Sequence, residues 1–144
     1  MLRPLAPEGV SCGVLSPDGR LAACESPRQG GLLYPVGGGE PRAIPGLRAG
    51  EESPLAFSSD GRSLFVGPAG PSWSGLSARQ GGPLRVVRLD LTTGKRELWH
   101  EFVPPDRAGL QSPLYNLAIT PDGSAYAYSF LNTPSDLYLV TGLK

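Results

Sequence analysis

Hydrophobic and polar positions alternate in a pattern that occurs three times along the chain. The first copy is Val14-Leu15-Ser16-Pro17-Asp18-Gly19-Arg20-Leu21-Ala22-Ala23, and the second is Ala56-Phe57-Ser58-Ser59-Asp60-Gly61-Arg62-Ser63-Leu64-Phe65-Val66. The third is Leu117-Ala118-Ile119-Thr120-Pro121-Asp122-Gly123-Ser124-Ala125-Tyr126-Ala127-Tyr128. In each, an apolar run passes through Ser or Thr and then Asp-Gly into a second apolar run. Asp-Gly between two such runs predicts a β-hairpin, because Gly accepts positive φ and Asp bonds within its own turn. Asp18, Gly19, Asp60, Gly61, Asp122 and Gly123 are therefore read as turn residues.

Two more strands follow each hairpin. In the first unit Gly31–Val36 leads through Gly37-Gly38-Gly39-Glu40 into Pro41–Ile44, and in the second Arg85–Leu91 leads through Thr92-Thr93-Gly94-Lys95 into Arg96–Trp99. The third unit offers Asp136–Val140 and no fourth strand. The Asp-to-Asp spacing is 42 residues from Asp18 to Asp60, close to the length of a four-stranded propeller blade. From Asp60 to Asp122 it is 62, and the excess falls in the Gly/Pro/Ser-rich stretch 67–83, which is read as a loop insertion. No helical periodicity competes.

The expected fold is thus all-β: three four-stranded propeller blades in one segment, half of a six-bladed ring or a fragment of a larger propeller. Blade 1 is expected at about 9–46, blade 2 at about 52–102 and blade 3 at about 112–144. Arg3-Pro4-Leu5-Ala6-Pro7 resembles Pro41-Arg42-Ala43-Ile44-Pro45, so residues 2–7 are read as the missing fourth strand of blade 3, within the same ring or in a partner chain. Blades bury their faces only against neighbours, and three do not close a ring. The expected partner is accordingly a second copy, giving a homodimer, or the rest of a longer propeller chain.

Composition narrows the function classes. Thirteen Lys and Arg balance thirteen Asp and Glu, with no basic cluster, which argues against a nucleic-acid surface. No apolar run approaches the length needed to span a bilayer, and Met1-Leu2-Arg3-Pro4 lacks the apolar core of a signal peptide. The 20 Gly and 16 Pro bring disorder into question, but 40% of the residues are hydrophobic and the Gly and Pro recur in register with apolar runs.

The repeated Ser-Pro-Asp-Gly-Arg hairpin resembles the TolB-like, WD-repeat-related propellers of bacteria, and the resemblance spans nearly the whole chain. Tyr126-Ala127-Tyr128-Ser129-Phe130, Ser135–Val140 and Gly142-Leu143-Lys144 are similar to the tail of bacterial receptor-like serine/threonine kinases, which carry a C-terminal propeller. That resemblance implies a sensor or regulatory module that binds a protein or small molecule. The kinase phosphate loop, catalytic Lys and catalytic-loop Asp are missing, so no phosphotransfer by this chain is expected.

Other chemistry finds little support in the residues. Gly70-Pro71-Ser72-Trp73-Ser74-Gly75 misplaces the second glycine of a nucleophile elbow and precedes no helix. His100 is the one histidine, so a Ser-His-Asp arrangement would have to use it; a rim or half-buried place beside Trp99 is the expectation. A hydrolase or lyase at the propeller mouth, or a purely structural ring-closing piece, are the competing readings. The three turn aspartates lie on separate blades and lack the calcium-loop pattern, and no metal or cofactor is expected. Gly37-Gly38-Gly39 opens a strand and not a helix, which makes it a turn and not a phosphate cradle.

Cys12 and Cys24 flank the first hairpin six residues either side of Asp18, where a disulfide across adjacent strands is conceivable. Two buried free thiols are the expected state, since free Cys packs as a small hydrophobe. Trp73 and Arg79 in the insertion have the composition of a binding hot spot. A second loop, Phe102 to Leu114, brings Arg107 and ends near Tyr115. Trp73, Arg79, His100, Arg107 and Tyr115 are the candidate binding residues, and both loops are expected to be the most mobile parts.

Overall fold

The computed structural model describes residues 4–26, 28–68, 83–103 and 110–132. Among them ten strands form three antiparallel sheets. Blade 1 is β1 (Ser11–Leu15), β2 (Leu21–Ser26), β3 (Gly30–Pro35) and β4 (Arg42–Ala43), side by side in that order. Blade 2 repeats this with β5 (Glu52–Phe57), β6 (Ser63–Pro68), β7 (Leu84–Asp90) and β8 (Arg96–Phe102). The third sheet pairs β9 (Leu110–Ile119) with β10 (Tyr126–Asn132). Asp136–Val140, expected as its third strand, lies outside the described residues.

The first strands of the three sheets sit next to one another, β1 against β5 and β5 against β9. Each sheet then runs outward from its first strand and stacks face to face on the next. This radial stacking of meandering sheets is the propeller architecture.

Alternation along each strand sends neighbouring side chains to opposite faces, so blade 2 is buried on both. Leu64, Val66, Phe57 and Leu89 pack with Ala23, Leu33 and Ile44 of blade 1 in one mainly aliphatic core. On the other face Phe65, Leu84, Val86 and Phe102 meet Leu117 and Ile119 of blade 3. The first seam also carries an ion pair. Arg96 donates to the Gly46 carbonyl at 2.7 Å, to Glu52 Oε2 at 2.9 Å and to Glu52 Oε1. Burial drives the Glu52 pKa upward, but the Arg96 guanidinium and the Arg48 N–H outweigh it and hold the carboxyl below its ordinary value.

Several expectations from sequence change here. Residues 4–7 form no strand; Leu5 and Ala6, with Val10, instead pack on Ala22, Cys24, Leu32 and Tyr34 of blade 1. β6 extends through Gly67 and Pro68, which pair with Ser53 and Glu52, so the strand takes the first two residues of the expected insertion. Leu110–Leu114, read as loop, belongs to β9. Pro113 lies within it, where the ladder shifts register between Ser129 and Leu131, the usual place for a residue with no N–H to give.

Cys12 lies opposite Cys24 on β1 and β2, and the two are joined by a disulfide, in place of the two free thiols that packing alone favours. Direct cross-strand opposition brings their side chains to the same face, and that proximity is what the spacing argument underweighted.

Candidate functional site

The three Asp-Gly corners are built alike. In the first, Ser16 Oγ donates to Asp18 Oδ1 at 2.6 Å, the Arg20 N–H donates to the same oxygen, and the Leu21 N–H donates to Ser16 Oγ. Ser58, Asp60, Arg62 and Ser63 repeat that set, again with 2.6 Å from Ser58 Oγ to Asp60 Oδ1. In the third corner Ala125 N–H donates to Thr120 Oγ1, and both the N–H and hydroxyl of Ser124 donate to Asp122. Gly19, Gly61 and Gly123 have φ of 68°, 67° and 70°. Donors converging on a carboxylate favour its charged form. The Thr120 hydroxyl and Ser124 lower Asp122 to about 2, while Ser16 and Ser58 lower Asp18 and Asp60.

Where blades 2 and 3 meet, the aliphatic filling of the first seam gives way to aromatic rings. A register shift between Val86 and Val87 leaves Trp99 unpaired between Leu98 and His100. A bulge of this kind re-aims side chains, and Trp99 and His100 both turn toward blade 3. Trp99 stacks edge-on against Phe65 and Tyr126, at centroid distances of 5.0 and 5.7 Å, and donates from Nε1 to the Gly123 carbonyl at 3.2 Å. His100 lies between Phe102 and Tyr126, 4.6 Å from each, with Nε2 2.9 Å from the Tyr126 hydroxyl. Tyr128 continues the row through Phe102 at 5.1 Å.

Tyr126 is 41% exposed and Tyr128 37%. The row therefore has one wall packed on blade 2 and one edge in solvent, with the His100–Tyr126 pair on it. It offers aromatic faces and one hydrogen-bonding edge to a ligand. Among the described residues the hydrogen-bond partner of His100 is the Tyr126 hydroxyl.

Elsewhere the charged side chains serve one another. A shallow surface depression is lined by Ser63, Arg88, Asp90, Lys95 and Glu97. Within it Lys95 pairs with Glu97 at 2.7 Å, and Asp90 accepts from the backbone and hydroxyl of Thr93. Among the described residues no group of three or more His, Cys, Asp or Glu is arranged to hold a metal ion.

Of the candidate binding residues, His100 is placed in the aromatic row. Trp73, Arg79 and Arg107 lie outside the described residues, and Tyr115 lies in β9 with its side chain outside them. Sequence reading missed Trp99, Phe102, Tyr126 and Tyr128 as one cluster. The available signal was the Tyr-x-Tyr alternation of β10, which puts both rings on one face; their partners 24 to 27 residues away come only from blade stacking.

By sequence, no protein-family model matches the chain and no curated protein matches it. Among solved structures the chain is similar to TolB from Acinetobacter baumannii, at 16% identity and a TM-score of 0.51, over 86% of this chain and 27% of that one. It is also similar to a structure from a study of two prolyl endopeptidases, at 19% identity and a TM-score of 0.48, over 86% of this chain and 19% of that one. The chain thus spans about a quarter or less of these proteins, and the likeness to TolB concerns the fold. Radial stacking, the repeated corners and this likeness together establish a β-propeller fold, of which the chain forms an arc.

Proposed function

We propose that the chain is a non-catalytic binding module, the sensor or regulatory C-terminal part of a bacterial serine/threonine kinase. The observation that carries the non-catalytic reading is how the ionisable side chains are used. Asp18, Asp60, Asp90 and Asp122 hold turns, Glu52 holds Arg96, and His100 meets a tyrosine hydroxyl within a row of rings. Catalysis needs titratable groups converging on one reacting atom, and a binding module needs a rigid scaffold that presents loops and aromatic edges. The kinase assignment is supported by the resemblance of the C-terminal residues, of which Tyr126–Ser129 form the exposed start of β10.

Binding is expected at the aromatic row and the insertion. A photoreactive probe placed at position 73 or 126 should cross-link one defined partner from extracts of the source bacterium, in competition with unlabelled protein. Trp73→Ala with Arg79→Ala, or Tyr126→Ala, should reduce that cross-link at least tenfold while the circular dichroism spectrum stays the same. A hydrolytic turnover abolished by His100→Ala, with the fold retained, would refute the reading.

A further inference from the structure

Blade 1 turns Leu21 and Leu33 toward blade 2, where both pack in the core between the two blades. Blade 2 carries Ser63 and Arg88 at the equivalent places. Ser63 follows Gly61 as Leu21 follows Gly19, and Arg88 pairs with Phe65 as Leu33 pairs with Ala23. Ser63 lies two residues from Phe65 along its strand, and Arg88 two from Val86, so both are on the face turned to blade 3. Blade 1 shows that the repeat folds with leucine at these positions. Neither the hydroxyl nor the guanidinium is needed to form a blade.

Ser63 and Arg88 line the depression of about 230 Å3 that also holds Asp90, Lys95 and Glu97. Cross-strand pairing assembles it, with Ser63 opposite Asp90 and Arg88 opposite Glu97. Ser63 is 6% exposed, and its N–H and carbonyl both bond to the Ser58 hydroxyl. Among the described residues the Ser63 hydroxyl has no partner of its own, and neither has the Arg88 guanidinium. The two acids are half used. Asp90 Oδ1 takes the N–H groups of Thr92 and Thr93 and the Thr93 hydroxyl, and Glu97 Oε1 takes Lys95. Among the described residues Asp90 Oδ2 and Glu97 Oε2 accept no hydrogen bond. The space is below the roughly 300–1,000 Å3 of a drug-sized site, so it suits a small molecule.

Two cationic and two anionic side chains line the depression, and that balance selects the ligand. A simple anion would meet the carboxylates of Asp90 and Glu97, and a simple cation would meet Arg88 and Lys95. Like charges brought together in a binding site are costly. A molecule that bears both charges satisfies each group in turn. We propose that the depression is a binding site for a free α-amino acid. The ligand carboxylate takes the Arg88 fork, whose parallel N–H groups match two oxygens, together with the Ser63 hydroxyl. The ligand ammonium donates to the open oxygens of Asp90 and Glu97. This site is separate from the aromatic row and does not rest on the reading given to that row.

Amide NMR of the full chain, titrated with each standard amino acid in turn, tests the site. At least one should give saturable shifts centred on Ser63, Asp90 and Thr93. The same amino acid with its amine acetylated, or with its carboxylate esterified, should bind at least tenfold more weakly. Arg88→Leu carries the residue that blade 1 has at this place, and circular dichroism checks that it folds. It should bind at least tenfold more weakly, because the bidentate pair is lost. Ser63→Ala should lose about three- to tenfold, the worth of one hydrogen bond. The proposal is overturned if no amino acid shifts these amides, or if binding survives both blocked forms or Arg88→Leu. It is overturned equally if inorganic phosphate or glucose binds there and no amino acid does. Cross-linking from positions 73 and 126 should be unchanged in Arg88→Leu. A failed amino-acid site therefore leaves the binding module standing, and a failed cross-link leaves this site standing.

Discussion

The seam between blades 1 and 2 and the seam between blades 2 and 3 use the same backbone positions for different ends. Leu64 and Val66 fill the first and are almost wholly buried, whereas Tyr126 and Tyr128 stand at the equivalent places in the second with a large part of each ring in water. Aliphatic side chains at these positions exclude water and contribute burial alone. Tyrosine combines an apolar body with a polar tip that seeks a partner, and here Tyr126 finds His100. The first seam is thus a core, and the second keeps hydrogen-bonding groups at its rim. One repeat position serves cohesion or recognition according to the residue it carries.

The comparison breaks most readily at Leu64. Leu64→Ala should destabilise the protein by about 2–5 kcal/mol, the usual cost of a large-to-small change in a packed core. A urea midpoint lowered at unchanged slope would show it. An effect no greater than that of Tyr126→Ala would mean that the two seams are equally tight.

Next comes a pair of glycines with nearly the same φ. A Cβ on Gly19 meets nothing within 4 Å, but on Gly123 it would come within 2.9 Å of Phe65 and 3.2 Å of Trp99 Nε1. Both Gly→Ala variants bear the left-handed cost of about 1–2 kcal/mol. Gly123→Ala should lose about 1–3 kcal/mol more through overpacking against blade 2. Thermal unfolding of both variants measures the difference, and equal losses would remove Gly123 from the seam.

A smaller effect is expected from Tyr126→Phe. It keeps the ring and deletes one hydroxyl, so the loss should be about 0.5–1.5 kcal/mol. Chemical denaturation reads the stability, and the His100 imidazole resonances should shift in the same sample. Unmoved resonances would sever the pair.

The smallest effect concerns acid. The folded Asp122 pKa is about 2 against an ordinary 3.8, so the folded state holds its proton less readily than the unfolded chain. The stability it contributes is complete above about pH 4 and disappears as the pH falls through 2. Asp18 and Asp60 are lowered too and act in the same sense. Melting temperatures over that range should fall, and Asp122→Asn should flatten the fall. A slope unchanged in the variant would show that the carboxylate does not stabilise the third corner.

What was legible in the sequence was local. Each corner places its Ser or Thr, Asp and Gly within a few residues, and so the hairpins, their strands and the blade period could be read directly. The outer strands of blades 1 and 2 were legible from the Gly-bearing turns before them. Features set by pairing or stacking were not. The start of β9 was read as loop; that a strand runs through Pro113 depends on the bulge its partner allows. The cross-strand disulfide turned on direct opposition of Cys12 and Cys24, which a one-residue change of register would have undone. The aromatic row needed both a bulge at Trp99 and the docking of blade 3, and neither leaves a mark in a single segment.

The Ser/Thr-Asp-Gly corner makes most of its bonds within its own few residues; among the described ones, its ties to a neighbouring blade are the Ser59 N–H on the Pro121 carbonyl and Trp99 Nε1–H on the Gly123 carbonyl. A gene segment that encodes such a corner with its strands can be copied in tandem and work at once, with no matching change elsewhere. The faces between blades are then free to diverge, one copy toward leucine and valine, another toward tyrosine. Self-sufficient corners make the number of blades easy to alter and the surfaces between them easy to specialise.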